Sequence, residues 1–132
     1  MDLTRRRLDD AQRALTTLLE VSNLSKPSEI QRDAAIQRFE YTFETVWKSA
    51  QALLAREGIE ANSPRAAVRR CRQGGLLSDT QAESAMRAIA DRNLTSHTYK
   101  RALAEEVYTR LSSHARLFEE WLLELNKAYS LE

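Results

Sequence analysis

The sequence predicts an all-α domain, and three observations favour that fold class. The chain has 132 residues with only three glycines and two prolines, a scarcity that helices tolerate better than sheets and their turns. Apolar residues recur at spacings of three and four along most of the chain, as on one face of a helix. Serine-led capping signals precede several of these stripes. Together they predict an up-and-down four-helix bundle with an extra short helix.

The first half of the chain predicts two long helices. We expect helix one over residues 3–21, with the apolar stripe Leu8, Ala11, Leu15, Leu18 and Leu19. The turn formers of residues 22–27 follow, and Ser28 with Gln31 resembles a capping box. Helix two is then expected over residues 29–57, stopped by Gly58, with the stripe Ile36, Phe39, Phe43, Val46, Trp47, Ala50 and Leu54.

Three further helices are predicted in the second half. Ser63 caps a short helix over residues 64–73, with Pro64 in its first turn. Ser78 and Gln81 form a second capping box that opens helix four near residue 79, and its inward residues are Ala82, Met86, Ile89 and Ala90. We expect one last helix over about residues 99–125, with the broad face Leu103, Val107, Leu111, His114, Phe118, Trp121, Leu122 and Leu125.

The aromatic residues concentrate on helix two and the last helix. Large aromatic surfaces are buried either in a core or in an interface. These two helices should therefore pack centrally or supply a subunit interface, and the stripes leave both alternatives open.

The segment between helix four and the last helix differs from its surroundings. Thr95, Ser96 and Thr98 favour caps and turns because their hydroxyls compete for backbone groups. Asn93 tolerates a left-handed conformation, and we expect it to end helix four. Residues five apart on an unbroken helix are rotated by about 140°, so a break here is what brings residues 92 and 97 to one cleft.

The residue types in this segment suit chemistry on a phosphodiester. Arg92 offers a permanently charged fork for phosphate oxygens, and His97 exchanges a proton near neutral pH. Free N–H groups at the start of the next helix would also face an anion. This combination fits metal-independent RNA cleavage. On residue chemistry alone, a polar corner in which Arg92 caps a carbonyl is the commoner explanation.

A longer pattern resembles a known family. An arginine, four residues, a histidine, one residue and a tyrosine occur in Asp91-Arg92-Asn93-Leu94-Thr95-Ser96-His97-Thr98-Tyr99. Supporting strings are Phe39-Glu40-Tyr41-Thr42-Phe43-Glu44, Val46-Trp47-Lys48 and Ser63-Pro64-Arg65. The chain resembles HEPN-domain proteins, closest to the branch paired with minimal nucleotidyltransferases in toxin–antitoxin modules. Members of this branch are also described as nucleotidyltransferase substrate-binding proteins.

This resemblance implies a HEPN-like helical homodimer with a nucleotidyltransferase partner. By analogy, the chain is an RNase toxin in which Arg92 and His97 are catalytic and RNA is the substrate. Tyr99 matches the tyrosine to which such antitoxins attach AMP, which would block the site. The resemblance equally implies an alternative, a non-catalytic substrate-binding subunit of a two-component nucleotidyltransferase. The chain has no Gly-Ser followed by paired aspartates, so it should not transfer nucleotides alone.

Several other residues have two interpretations. Glu40 and Glu44 lie one turn apart and, with Asn93, are the candidate supporting residues that orient Arg92 or His97. His114 is either a second acid–base group or, more commonly on an apolar face, a buried histidine with a hydrogen bond. Cys71 stands between two arginines, which can lower a thiol pKa, although an unreactive thiol is commoner.

Composition limits the remaining classes. The net charge of +1 is low for an RNA-binding protein, and a dimer that joins two sites would focus positive charge locally. Two histidines and one cysteine at wide spacing predict no metal site, and we expect no cofactor. One cysteine and no long apolar run predict a cytoplasmic protein without a membrane span. We expect a single domain over residues 1–130, with residues 131–132 as a tag remnant.

Overall fold

A computed structural model of the chain describes residues 2–132, and within that range it is helical with no strand. The predicted all-α class is therefore confirmed. The helices are α1 (Leu3–Leu19), α2 (Glu29–Arg56), α3 (Pro64–Gln73), α4 (Asp79–Leu94), α5 (Arg101–Tyr108) and α6 (Leu111–Ser130), and a 3-10 turn occupies Thr95–His97.

The serine caps predicted from the sequence begin the helices where expected. The Ser28 hydroxyl accepts from the Gln31 N–H at 3.1 Å, and the Gln31 side chain accepts from the Ser28 N–H at 2.9 Å. Ser78 and Gln81 form the same reciprocal pair at the start of α4. These caps satisfy N–H groups that have no partner inside the helix. They fix where α2 and α4 begin, and therefore the register of both helices in the bundle.

Helix α2 is central, since α1, α3, α4, α5 and α6 all pack against it. Its Phe39 ring lies 6.0 Å from that of Phe118 on α6, and Phe39 and Trp121 are almost fully buried. Burying one such side chain contributes roughly 1.5–3 kcal/mol. Of the two alternatives for the aromatic helices, central packing is confirmed.

Three details of the predicted helix stripes and of the last helix are wrong. The last helix is two helices, because the chain breaks at Thr109 and Arg110 between α5 and α6. On α4, Ala90 is exposed and Ala85 and Ala88 are buried in its place. Leu19 is substantially exposed, because α1 ends there and its buried stripe is complete at Leu18.

Within residues 2–132, no helix combines the length and apolarity that crossing a bilayer requires.

Candidate functional site

The segment 92–99 forms the corner between α4 and α5. Helix α4 runs to Leu94 and continues directly into the 3-10 turn Thr95–His97. The prediction that Asn93 ends the helix in a left-handed conformation is wrong, since among residues 2–132 only glycines have positive φ. The break comes instead from Thr95, Ser96 and Thr98, whose hydroxyls each contact the carbonyl oxygen three residues earlier.

Arg92 is held against α2 by a small polar network. Its Nη1 donates to Glu40 Oε2 at 3.3 Å and to Thr95 Oγ1 at 3.0 Å. The Thr95 hydroxyl also lies 2.9 Å from Glu40 Oε2. The Arg92 Nε is buried without a partner among the described residues. The guanidinium is thus oriented but incompletely satisfied, which leaves donor capacity for an anion.

Of the two carboxylates expected to support Arg92, only Glu40 does so. Glu44 lies one turn further along α2 and accepts from the Trp47 indole N–H at 3.3 Å, with Lys48 at 3.8 Å. Asn93 is exposed, and its backbone oxygen accepts from Ser96. Sequence reasoning missed Thr95 as a member of the network. Its spacing of three from Arg92 was the available signal, because that spacing puts both side chains on one face of the turn.

His97 and Tyr99 are both exposed at the same corner. Their ring centroids are 6.5 Å apart in an edge-on arrangement, and Tyr99 is 78% exposed. The Lys100 Nζ lies 6.0 Å from the centre of the Tyr99 ring. A groove of about 220 Å³ runs beneath Tyr99, between Thr98 and the α2 residues Asp33, Ile36, Gln37 and Glu40. The groove therefore connects Tyr99 with the carboxylate that holds Arg92.

The beginning of α5 adds uncapped backbone donors to this corner. Lys100 is the N-cap residue and makes no side-chain capping hydrogen bond. Its own N–H donates to the His97 carbonyl oxygen at 3.1 Å. No hydrogen bond within residues 2–132 joins Arg92 to His97. Neither Arg92 nor His97 lines the groove beneath Tyr99, so the meeting of these two side chains in one cleft stays a prediction.

A second, buried network lies directly behind Arg92. Asp91 accepts two hydrogen bonds of 2.8 Å from Arg110, through its Nε and Nη2 atoms. His114 Nε2 lies 2.7 Å from Asp91 Oδ2, and its ring stacks on Phe39 at 5.2 Å. Arg110 stands at the N-cap of α6. At the break between α5 and α6, the Arg110 side chain therefore reaches Asp91 on α4.

The two titratable members of this network both have lowered pKa values. Burial raises the pKa of Asp91, but hydrogen bonds from Arg110 and His114 outweigh burial and leave that pKa below its ordinary value. Burial lowers the pKa of His114, and the hydrogen bond to Asp91 only partly offsets it. Burial therefore favours the neutral imidazole of His114, and the contact with the acceptor-only Asp91 carboxylate requires its proton on Nε2. His114 is therefore the hydrogen-bonded buried histidine of the commoner interpretation.

Cys71, the remaining reactive candidate, is buried, as is the aromatic stripe of α2. Burial raises the pKa of the Cys71 thiol to about 11, so Cys71 is protonated and unreactive at neutral pH. Phe39, Phe43 and Trp47 are buried in the core. Among residues 2–132, no cluster of three or more histidine, cysteine, aspartate or glutamate side chains is arranged to hold a metal ion.

Comparison with known proteins supplies the family. Residues 6–127 match the model of the family described as "Nucleotidyltransferase substrate binding protein like". The chain belongs to this nucleotidyltransferase substrate-binding family. Membership confirms the resemblance drawn from the segment 91–99 and its supporting strings. A solved structure from Thermus thermophilus is 49% identical, with a TM-score of 0.84, and covers 87% of this chain and 98% of its own. No curated protein matches the sequence.

Two toxin–antitoxin structures share the fold of this family member at low identity. One, with AMP-PNP, is 14% identical with a TM-score of 0.76, covering 95% of this chain and 98% of its own. The other, a mutant of the MntA-HpeT pair, is 15% identical with a TM-score of 0.79, covering 96% and 99%. The predicted helical architecture is therefore that of toxin–antitoxin proteins as well as of the family.

Proposed function

We propose that this chain is the RNA-cleaving toxin of a toxin–antitoxin pair, restrained by a nucleotidyltransferase that adds AMP to Tyr99. The observation that carries the proposal is the corner itself. An oriented arginine, an exposed histidine and an exposed tyrosine lie within eight residues, at an uncapped helix start. Family membership and the shared fold of the toxin–antitoxin structures support it.

In the proposed reaction, His97 takes the proton of a ribose 2′-hydroxyl. The 2′-oxygen then bonds to the adjacent phosphorus, and the bond from phosphorus to the 5′-oxygen breaks. The products are a 2′,3′-cyclic phosphate and a 5′-hydroxyl, whose oxygen takes up a proton. Arg92 stabilises the charge that develops on the phosphorus oxygens. General base catalysis of this kind contributes about 10²–10⁴-fold to a rate.

In the proposal, addition of AMP to the exposed Tyr99 hydroxyl switches RNA cleavage off. The Tyr99 oxygen would attack the α-phosphorus of ATP bound by the nucleotidyltransferase, releasing pyrophosphate and the phenolic proton. The attached phosphate and base would then occupy the corner beside Arg92 and His97. Because Tyr99 is 78% exposed, a partner enzyme could reach it without unfolding the corner.

Expression and cleavage assays test the toxin proposal. Wild type expressed without its nucleotidyltransferase should arrest growth, and His97→Ala should not. Purified His97→Ala should cleave RNA about 10²–10⁴-fold more slowly. Arg87→Ala is the control, since Arg87 is exposed on α4 outside the corner and, among residues 2–132, its side chain hydrogen-bonds only to Ser84. Harmless expression of wild type together with intact RNA would refute the proposal.

A non-catalytic substrate-binding subunit is the second candidate, and one observation favours it. Glu40 holds the Arg92 side chain and shares the groove beneath Tyr99, so the corner is partly neutralised in the free chain. The family description is also that of a substrate-binding protein. This candidate predicts a stable complex in which the nucleotidyltransferase transfers a nucleotide to a third molecule.

Mass spectrometry after co-expression with the nucleotidyltransferase separates the two candidates. The toxin proposal predicts an added AMP mass on wild type that disappears in Tyr99→Phe. Tyr41→Phe is the control, because Tyr41 is another exposed tyrosine, hydrogen-bonded to Thr17. Unmodified Tyr99, with transfer to a third molecule, would favour the substrate-binding subunit.

A further inference from the structure

A second pocket lies at the start of α2. It has a volume of about 420 Å³ and is formed by the α1–α2 connection, the first turns of α2 and the α5–α6 corner. Its Arg32 precedes Glu40 by eight residues, which is roughly 12 Å along the helix. Although Asp33 of the groove beneath Tyr99 is next to Arg32, the pocket and that groove share no lining residue. Its volume is within the range of small-molecule sites.

The arginine in this pocket is buried without adequate compensation. The Arg32 side chain is only 9% exposed, and its Nε has no partner among the described residues. Its nearest carboxylate is Glu105, with Oε1 at 4.0 Å from Nη1. That same oxygen accepts from Arg101 at 3.0 Å, and the Glu105 side chain is 52% exposed. A buried cation with one long, shared contact needs another anion.

The pocket walls offer hydroxyl groups from two further directions. Ser22 and Ser25 lie on the α1–α2 connection, and Thr109 and Ser112 lie at the α5–α6 corner. Arg32 and hydroxyls from two other segments suit a tetrahedral phosphate better than a planar carboxylate, although the Thr109 hydroxyl donates its own proton to the Glu106 carbonyl oxygen. Leu24 and Pro27 complete an apolar wall.

The pocket is held in shape by Tyr108. Its hydroxyl donates to the Val21 carbonyl oxygen at 2.7 Å and accepts from the Leu24 N–H at 3.0 Å. These two bonds pin the α1–α2 connection to α5. Preorganisation of this kind reduces the entropy cost of binding. We propose that Arg32 and the surrounding hydroxyls form a binding site for a phosphate group, carried by a phosphorylated small molecule or by inorganic phosphate.

Titration of the intact chain by ¹⁵N–¹H NMR tests this site. Inorganic phosphate, AMP and adenosine are each added to about 10 mM, a range that detects weak binding. Phosphate and AMP should shift the amide signals of Ser25 and Thr109, and adenosine should not. Tighter binding of AMP than of phosphate would identify a phosphorylated small molecule, and equal binding would identify the phosphate group alone. No shift with either phosphate compound would overturn the proposal.

Three variants locate the binding. Arg32→Gln should weaken it by about tenfold or more, because the charged donor is lost. Arg70→Gln, an exposed arginine on α3, should bind as wild type does. Glu105→Gln removes the competing carboxylate and should bind phosphate more tightly. If Arg32→Gln does not fold, Arg32→Lys replaces it and should also bind more weakly, since it loses the fork. Wild-type affinity in the Arg32 variant, or unchanged affinity in Glu105→Gln, would contradict the site.

Discussion

Asp91 and Arg92 are neighbours on α4, yet they belong to opposite kinds of network. Asp91 is 6% exposed at its side chain and is enclosed by two bonds from Arg110 and one from His114. Arg92 is 32% exposed and has a single carboxylate, Glu40, at 3.3 Å. In the enclosed network the charge of Asp91 is matched by that of Arg110, so we expect this network to stabilise the fold. The network around Arg92 retains an unused donor, and the exposed His97 and Tyr99 follow in the same segment. We therefore expect this network to take part in the proposed reaction.

The largest expected loss of stability comes from a substitution in the enclosed network of Asp91. Asp91→Ala leaves the buried His114 imidazole without an acceptor and leaves the partly buried Arg110 with only its exposed partner Glu106. We expect a loss of about 3 kcal/mol in the free energy of unfolding, measured by urea denaturation. The control is Glu106→Gln, which removes only the exposed partner of Arg110. A loss below about 1 kcal/mol would show that the enclosed network is not structural.

The pH dependence of stability comes next in size. Because the pKa of folded His114 lies below 6.5, its unfolded form binds a proton that the folded form excludes. Stability should therefore fall as the pH drops below 6.5, by up to about 1.4 kcal/mol per pH unit. The folded pKa of Asp91 is also lowered, so its contribution is present above 3.8 and is lost as the pH falls through that lowered value.

His114→Gln isolates the histidine contribution. Unfolding free energies are measured between pH 5 and pH 8 for both proteins, and the difference between the two curves reports residue 114 alone. The variant should have the shallower curve below pH 6.5. Parallel curves would contradict a neutral, buried imidazole.

This contrast also explains what could be predicted from the sequence. The helix starts depend on local chemistry such as Ser28 with Gln31, and the sequence contains that chemistry in full. The break at Arg110 has no glycine or proline to mark it, and its contact with Asp91, nineteen residues away, is not visible in any local pattern. Glu40 and Glu44 lie one turn apart on α2, so the sequence offers both as partners of Arg92. Only the packing of α4 on α2 shows that Glu40, and not Glu44, contacts Arg92.

A smaller change in stability is expected from Glu40→Gln, in the network around Arg92. The pair with Arg92 is partly exposed and should contribute less than about 1 kcal/mol to stability. Loss of the carboxylate should free the guanidinium and tighten binding of a short RNA, measured by fluorescence anisotropy at fixed salt. Glu44→Gln is the matched control, since it contacts Trp47 and Lys48. Equal gains in both variants would mean that only net charge matters.

The smallest stability effect should come from Tyr99→Phe. No hydrogen bond to its hydroxyl occurs within residues 2–132, and the ring is exposed. Its unfolding free energy should be within about 0.5 kcal/mol of wild type in thermal or urea denaturation. A larger loss would indicate that Tyr99 supports the corner and is not simply displayed by it.

RNA cleavage by Arg92 and His97, the activity proposed for this corner, is tested by a single cleavage assay. Purified wild type is incubated with an RNA and with the same RNA carrying a 2′-deoxy sugar at the cleaved position. We expect 2′,3′-cyclic phosphate and 5′-hydroxyl ends from the RNA, no cleavage at the deoxy sugar, and about 10²–10⁴-fold slower cleavage by His97→Ala. Cleavage at the deoxy sugar, or equal rates for wild type and His97→Ala, would contradict it.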